Sequence, residues 1–560
     1  MNIVRPFASL LFTAALALAA PAQDWWRNAV LYEIYPRSFG DTNGDGIGDL
    51  NGITKHLDYL KDLGVDGIWI APFFRSPQVD FGYDVSDYEG IDPQFGTMAD
   101  FDRLLAEAKK RNIRVLLDFV VNHTSDQHPW FRESRASRSN PKADWFMWAD
   151  GIGPANNEPP NNWRSIFGGS SWQFDTPRGQ LYYHAFYIEQ PDLNWRNPEV
   201  RKAMYDTMRF WMRKGVAGFR LDAVPFLFED PELRNEPVAK PGKNELGDPY
   251  LESVYTQNLP DCHVVLREMR SVTGEFPDGV LVGEAYESNV KALARMYGPK
   301  HDELQLPMDT QYGFGSLSAP RLREKLAEAE TQLNGGTPLL VFNNHDQPRS
   351  FSRFADGKHD DALARLVATA ILTPKATALL YYGEEIGMEN NDPKRKEDVR
   401  DIVGIKGWPK YKGRDGERTP MQWTAGTYAG FGSSVMPWLP VGPDYKTRNV
   451  EVESKDPGSM LNYYKALIRL RKTNPALREG QFTVVNGDDP DVLAFVQKAN
   501  DGSIALVVMN CSAEAHNSAF QLGAKTGTVL IGSFAKTGDG VDLSRVSLPP
   551  YGSLVISVGK

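Results

Sequence analysis

Four short stretches of this 560-residue chain close apolar runs on groups that can move protons or attack carbon. They are Asp118-Phe-Val-Val-Asn122-His123, Gly218-Phe-Arg220-Leu-Asp222, Leu281-Val-Gly-Glu284 and Phe342-Asn-Asn344-His345-Asp346. Alone, an Asp ending an apolar run is ordinarily a turn or cap residue, and Asn344-His345-Asp346 could merely brace a loop. Together, if the runs are neighbouring strands, they bring three Asp, one Glu, two His and one Arg to one concavity. Converging carboxyl groups suit glycosidic bond hydrolysis, which needs a proton donor for the leaving oxygen and a nucleophile or base on the opposite side of the sugar. The two must differ in protonation at one pH. A guanidinium such as Arg220 keeps Asp222 ionised, while a carboxyl facing other carboxylates and shielded from water has its pKa raised and stays protonated. This assigns Asp222 as nucleophile and Glu284 as general acid.

Positioning these groups requires strands. Short β-branched or apolar runs at 30–35, 65–71, 113–121, 218–222, 280–284, 304–308, 339–344 and 377–382 alternate with amphipathic stretches such as 101–111 and 198–214. That alternation reads as βα units and a parallel sheet. Eight such units imply an α/β fold, a (β/α)8 TIM barrel whose chemistry sits at the C-terminal ends of its strands. Two connections are too long for simple turns. The stretch 122–188, rich in Trp, Asn, Pro and Gly, reads as an inserted subdomain after strand 3, and 384–453 as a long loop shaping the pocket. The barrel is expected over 23–121 and 189–475. Beyond it, runs at 482–486, 492–498, 504–509, 528–531 and 554–558 alternate between Gly/Asp/Asn turns. They predict a C-terminal antiparallel β-sandwich domain over 476–560.

With 41% hydrophobic and 24% charged residues the chain has material for a large core. Its formal charge of −10 argues against nucleic acid, which demands a basic face. Thirteen Trp, 22 Tyr and 28 Phe suit sugar stacking and a big core equally. Arg5, an apolar run over 10–19 and Ala20-Pro21-Ala22 have the anatomy of a signal peptide spanning 1–22. The run is shorter than the roughly 20 residues that span a bilayer, so an exported protein, periplasmic or secreted, is expected, with no membrane association in its mature form. Cys262 and Cys511 could pair in an oxidising compartment, but two free thiols are the better expectation.

The four stretches, in this order and at this spacing, resemble the short motifs of the α-amylase family of glycoside hydrolases, family 13, and Gln190-Pro-Asp-Leu-Asn194 resembles a fifth. The likeness runs from about Trp25 to the C-terminus. It implies Asp222 as nucleophile, Glu284 as acid/base and Asp346 as a third carboxylate that holds sugar hydroxyls. By the same resemblance His123 and His345 bind hydroxyls, Arg220 orients Asp222, and Asp118 supports the site from behind. The implied mechanism retains anomeric configuration through a covalent glucosyl intermediate, with transglycosylation when a sugar replaces water.

Asp80-Phe-Gly-Tyr83 resembles the exo-acting α-glucosidase branch, in which the matching Asp and Tyr close off the terminal glucose and an arginine matched by Arg349 pairs with the Asp. Ala223, following the nucleophile, matches members that favour α-1,4 links, where Val accompanies α-1,6 preference. These features imply small α-glucosides such as maltose and malto-oligosaccharides as substrates, against an endo-acting amylase. Trehalose synthase, resembled by Ala223-Val-Pro-Phe-Leu-Phe228, and oligo-1,6-glucosidase remain alternatives. A non-catalytic sugar-binding relative is disfavoured because all three carboxylates are present. A barrel enzyme for phosphorylated metabolites is disfavoured because 377–383 leads into Tyr381-Tyr-Gly-Glu-Glu, an acidic run in place of a phosphate loop. Asp41-Thr-Asn43-Gly-Asp45-Gly-Ile47-Gly-Asp49 alternates oxygen side chains with a Gly for the sharp turn and a carbonyl at Ile47, as calcium loops do. Gly52 at position twelve excludes an EF-hand. The segment resembles a structural Ca2+ site of related α-glucosidases. No organic cofactor is expected.

Overall fold

Each apolar run becomes a strand of one closed, parallel barrel: β1 (Val30–Ile34), β2 (Gly67–Ile70), β3 (Arg114–Val120), β4 (Gly218–Asp222), β5 (Val280–Gly283), β6 (Leu306–Asp309), β7 (Leu339–Val341) and β8 (Thr377–Tyr381). The strands follow in chain order and β8 pairs back onto β1. The computed structural model describes residues 24–432 and 435–559, so the leader-like segment 1–22 lies outside the described residues.

Side-chain alternation divides the barrel's apolar residues between two cores. Leu31, Trp69, Leu116, Val282, Leu306, Leu339 and Leu379 form one cluster, the barrel interior, against which Trp25 packs. Their sequence neighbours, among them Tyr32, Ile70, Leu117, Leu281, Leu340 and Leu380, belong to a second cluster shared with the surrounding helices. Gly218 opens β4 at φ 144°, where a Cβ would stand 2.0 Å from the Val280 carbonyl, so the β4–β5 seam closes only on glycine. β7 stops at Val341, three residues before the expected 344. Asn343 turns to donate to Ser350 Oγ at 3.0 Å, and Asn344 bridges Gln347, which presents His345 and Asp346 on a turn. β6 starts at Leu306 because the Leu304 N–H is taken by the Met296 carbonyl at 3.0 Å.

The helix Pro198–Lys214 shows how a packing element is written locally. The Asn197 side chain caps it by accepting from the Glu199 N–H, Pro198 opens it, and Gly215 ends it at φ 108°. Val200, Met204, Met208 and Trp211 recur on its buried face. Burying each of the aliphatic ones stabilises the fold by about 1.5–3 kcal/mol.

Between β3 and this helix the chain forms the helix Pro129–Ala136 and a three-stranded antiparallel sheet of Trp148–Ala149, Gln180–Tyr183 and Trp172–Asp175. Trp163, Trp172, Leu181 and Tyr183 give this insertion a core of its own, shared with Ala223 and Phe226 at the barrel rim. The C-terminal region is a six-stranded antiparallel sheet in the order Gln481–Val484, Val492–Lys498, Ile504–Asn510, Ser553–Val558, Thr526–Gly532, Gly540–Asp542. The pair His516–Ser518 and Val546–Leu548 packs over it, joining Val546 and Leu548 to Leu506, Val508 and Ile556 in one cluster. Gly540–Asp542 and that pair, each three residues long, carry too few alternations to be read from sequence. Cys262 and Cys511 are both free thiols. Among the described residues no helix is long and apolar enough to cross a membrane.

Candidate active site

β4 and β5 run in register, Leu221 opposite Gly283, and the Glu284 N–H donates to the Leu221 carbonyl at 3.1 Å. Asp222 and Glu284 therefore leave the rim side by side. Asp118 on β3 lies opposite Arg220 on β4. The fully buried Arg220 joins Asp118, Asp222 and Glu284. Its Nη1 donates to Asp222 Oδ1 at 2.6 Å and to both Asp118 oxygens at 3.0 Å, and its Nη2 stands 2.8 Å from Glu284 Oε2 without hydrogen-bond alignment. The guanidinium rests 4.8 Å from the Trp69 ring centre, and Trp69 Nε1 donates to Asp118 Oδ2 at 3.1 Å.

Glu284 is held from two further sides. The Ala223 N–H donates to Oε2 at 3.1 Å and the Tyr286 hydroxyl donates to Oε1. Ala223 reaches across because it sits in the left-handed region at φ 49°, ψ 38°. Burial pushes Asp222 up to about 7 with Arg220 pulling against it and Asp118 adding to the rise. Burial likewise pushes Glu284 up to about 7, again opposed by Arg220 and reinforced by Asp222 and Asp346. The two share one region of negative potential and lose their protons in sequence. Asp222 holds the short, aligned, charge-assisted bond to Arg220, so it ionises first and Glu284 keeps the proton.

Asp346 behaves differently. Burial alone would raise it, but His345, Arg414 and Arg418 outweigh that and hold it well below the ordinary carboxylate value. Arg414 Nη1 and Arg418 Nη2 donate to its Oδ1 at 3.0 and 2.8 Å. His345 Nε2 lies 3.3 Å from its Oδ2. Arg414 also donates to Asp80 Oδ1 at 2.9 Å and to both oxygens of Asp401, while Gln190 Nε2 holds the other Asp80 oxygen at 3.2 Å.

Asp80, Tyr83, His123, Asp222, Glu284 and Asp346 line one cavity of about 190 Å³, together with Ala223, Ile166, Phe167, Phe186, Tyr286, Tyr411 and Arg414. Two roomier surface grooves, around His263 and Arg295 and around Asp102 and Lys214, lack such a convergence of carboxylates. Arg220, Asp118 and His345 lie behind the cavity wall. His123 Nε2 lies 3.2 Å from the Tyr83 carbonyl, and burial pushes the ring down to about 3, so it is neutral.

Arg349 departs from expectation. Its guanidinium donates to the carbonyls of Tyr382 at 2.6 Å and Glu417 at 2.8 Å and lies over the rings of Tyr381 and Tyr382. It faces β8 and does not touch Asp80. Arg414 is the partner of Asp80. The 384–453 loop delivers Arg414 from 334 positions along the chain, at no period that sequence reasoning could use. Glu33, Arg418, Tyr286 and Tyr411 were also missed. Of these only Glu33, a charge inside an apolar strand, carries a local signal.

The oxygen-rich segment 41–49 folds as a tight turn. Asp41 accepts from Gly44 N and Gly46 N at 2.6 and 3.0 Å, Asn43 Oδ1 from Asp45 N at 2.9 Å, and Asp45 Oδ1 from Ile47 N at 2.8 Å. Asp49 accepts from Thr42 N at 2.8 Å and caps the helix Leu50–Lys55 through Gly52 N at 2.7 Å. Among the described residues no three His, Cys, Asp or Glu side chains converge enough to hold a metal by themselves.

Residues 33–480 match the family model described as alpha amylase, catalytic domain. The chain is 46% identical over 483 residues to a probable alpha-glucosidase of Rhizobium meliloti (strain 1021), covering 84% of this chain and 86% of that relative. It is 40% identical over 570 residues to an oligo-1,6-glucosidase of Parageobacillus thermoglucosidasius, covering 95% and 99%. Among solved structures it superposes on the alpha-glucosyl transfer enzyme XgtA with a TM-score of 0.87 at 38% identity, over 96% of this chain and 99% of that one. With the barrel, the motif order and the carboxylates at one rim, these matches establish that the chain belongs to the alpha-amylase family and is a glycoside hydrolase of family 13.

Proposed function

We propose that the protein is a retaining α-glucosidase that releases terminal non-reducing α-linked glucose, α-1,4 links preferred, from maltose and malto-oligosaccharides. The observation that carries this reading is the bridge from Arg414 to Asp80 and Asp346, which closes the far wall of a cavity of about 190 Å³. Such a wall stops a glucan chain from running through and leaves room for a chain end.

In this reading Asp222 attacks the anomeric carbon while Glu284 gives its proton to the departing oxygen. The freed aglycone leaves, and Glu284, now ionised, takes a proton from water as that water displaces Asp222. Retention calls for carboxyl groups roughly 5–5.5 Å apart. In-register residues on adjacent strands start about 4.8 Å apart, which supports it. Arg220 keeps Asp222 an anion, and Asp346, held ionised by Arg414 and Arg418, accepts hydrogen bonds from sugar hydroxyls. A sugar hydroxyl in place of water yields transglucosylation. The α-1,4 preference rests on Ala223, while the likeness to an oligo-1,6-glucosidase supports α-1,6 cleavage as the second reading.

The same proposal includes a structural Ca2+ in the 41–49 turn. The carboxylates there do not suffice alone, so the Asn43 amide oxygen and the Ile47 carbonyl would complete a set with Asp41, Asp45 and Asp49. Bound there, calcium would draw these oxygens together and tie down the loop. Export by the 1–22 leader belongs to this reading as well.

The test is timed product analysis with maltose, isomaltose, trehalose and soluble starch, following the first-formed anomer by NMR. Glucose released from maltose as the α-anomer, with little from isomaltose, supports the proposal. β-Glucose as first product contradicts retention, maltodextrins from starch indicate endo action, and trehalose made from maltose indicates an isomerase.

A further inference from the structure

Glu33 lies on β1 inside the barrel, fully buried, and is not part of the pocket lining. Its Oε1 is 2.6 Å from His345 Nδ1 and also accepts the His345 main-chain N–H at 3.3 Å, whereas Oε2 has no partner. On the other side of the ring, His345 Nε2 is 2.5 Å from the Tyr83 hydroxyl oxygen, and that hydroxyl is 3.0 Å from Asp118 Oδ2. Three short contacts in series allow few proton arrangements.

Asp118 Oδ2 already receives Arg220 Nη1 at 3.0 Å and Trp69 Nε1 at 3.1 Å, so it accepts, and the single Tyr83 proton points to it. The Tyr83 oxygen must then accept from His345, which requires a proton on Nε2. One further proton lies between His345 Nδ1 and Glu33 Oε1. The common carboxylate–histidine arrangement, with a carboxylate accepting from Nδ1–H of a neutral ring, leaves Nε2 bare and fails here. We infer that Glu33 is a positioning residue: it shares one proton with His345 as a pair of zero net charge and thereby locks His345 as an Nε2–H donor toward Tyr83, with Asp346 Oδ2 3.3 Å from the same nitrogen.

Charge balance favours this pair over a Glu33 anion beside a neutral imidazole. Asp80, Asp118, Asp222, Glu284, Asp346 and Asp401 already surround Arg220, Arg414 and Arg418, an excess of carboxylates. The charges facing Glu33 are Arg220 from β4, Asp118 from β3 and Asp346 from the turn after β7. A neutral acid also tolerates the unpartnered Oε2 better than a carboxylate does. Burial pushes Glu33 well above the ordinary glutamate value despite Arg220, and pushes His345 well below its own. Both directions lean the shared proton toward Glu33. The Nε2–H so fixed orients the Tyr83 hydroxyl and stabilises ionised Asp346, so Glu33 acts on the reacting sugar only through His345.

The consequence for catalysis rests on the function proposed above, but the proton arrangement does not. Neutron diffraction from the unaltered protein reads it directly: a proton on His345 Nε2 and one in the Glu33–His345 contact are expected. A proton on Nδ1 with Nε2 bare overturns the inference whatever the substrate proves to be. Glu33→Gln keeps the pair neutral and can donate to Nδ1. Its kcat/KM is expected within about threefold of the parent, with both limbs of the pH profile unmoved. A displacement of the profile by about one unit toward acid would mean that a buried negative charge had been removed, and would overturn the inference. Glu33→Leu, checked for folding by its melting curve, is expected to lose about 30-fold or more, mainly in kcat, as outer hydrogen-bonding partners of catalytic groups do. Parent-like kcat in Glu33→Leu would also overturn it.

Discussion

Arg414 donates to Asp80 at 2.9 Å across the mouth of the barrel, joining the long loop after β8 to the loop after β2. The same guanidinium holds Asp346 at 3.0 Å, so one side chain closes the pocket and, with His345 and Arg418, keeps a carboxylate inside it ionised. Removing one partner of a buried pair leaves the other charge uncompensated, at about 3–5 kcal/mol.

Arg414→Ala is therefore expected to raise KM for maltose and to lower kcat/KM by about 100-fold or more. Arg349→Lys, which disturbs carbonyl contacts behind β8, is expected to lower the melting temperature and leave KM within about twofold. Steady-state kinetics beside thermal melts distinguish the two arginines. The reverse pattern would restore Arg349 to the pocket.

Asp222→Asn keeps shape and removes the proposed nucleophile. Its kcat on maltose is expected to fall by about 10⁴-fold while the fold persists. Activity close to the parent in a folded, purified variant would remove Asp222 from that role.

In the proposed mechanism activity requires Asp222 ionised and Glu284 protonated, and burial pushes both up to about 7. A bell-shaped kcat/KM profile centred near neutral is expected, its acid limb from Asp222 gaining a proton and its alkaline limb from Glu284 losing one. The folded value of each lies above its unfolded value of about 4. The associated stability is thus fully present below the unfolded value and is lost as pH rises through about 7. Glu284→Gln lifts that penalty. Its melting temperature is expected to exceed the parent's by about 2 °C at pH 8 and by less at pH 5. A gain that shrinks from pH 5 to pH 8 would show that Glu284 is not raised.

Ala223 occupies the left-handed region, where a β-branched residue is strained by about 1–3 kcal/mol. Ala223→Val is expected to melt at lower temperature and to turn over isomaltose better relative to maltose. Competition between the two sugars measures the ratio. An unchanged ratio would separate this residue from linkage choice.

Chelation is expected to lower the melting temperature of the parent by several degrees, with recovery on adding Ca2+, and to leave Asp45→Ala unaffected. Equal loss in both proteins would place the metal elsewhere, and no loss in the parent would argue against a calcium in the 41–49 turn.

What the sequence determined by itself was whatever repeats at short range. Continuous apolar runs in 30–35, 113–121 and 280–284 suffice to specify strands buried on both faces, because a short apolar run between turn signals is a local property. The polar residues closing those runs then fall at the C-terminal rim by barrel geometry alone, which is why Asp118, Asp222, Glu284 and Asp346 were legible together. Pairing across loops was not. Arg349 and Arg414 are both arginines at no particular period, and only the path of the 384–453 loop decides which one reaches Asp80. Glu33 reads as one polar residue in an apolar run, and its link to His345 arises only when β1 closes against the turn after β7. Side-chain pairing energies depend on distances through space, and those exist only once the barrel has shut.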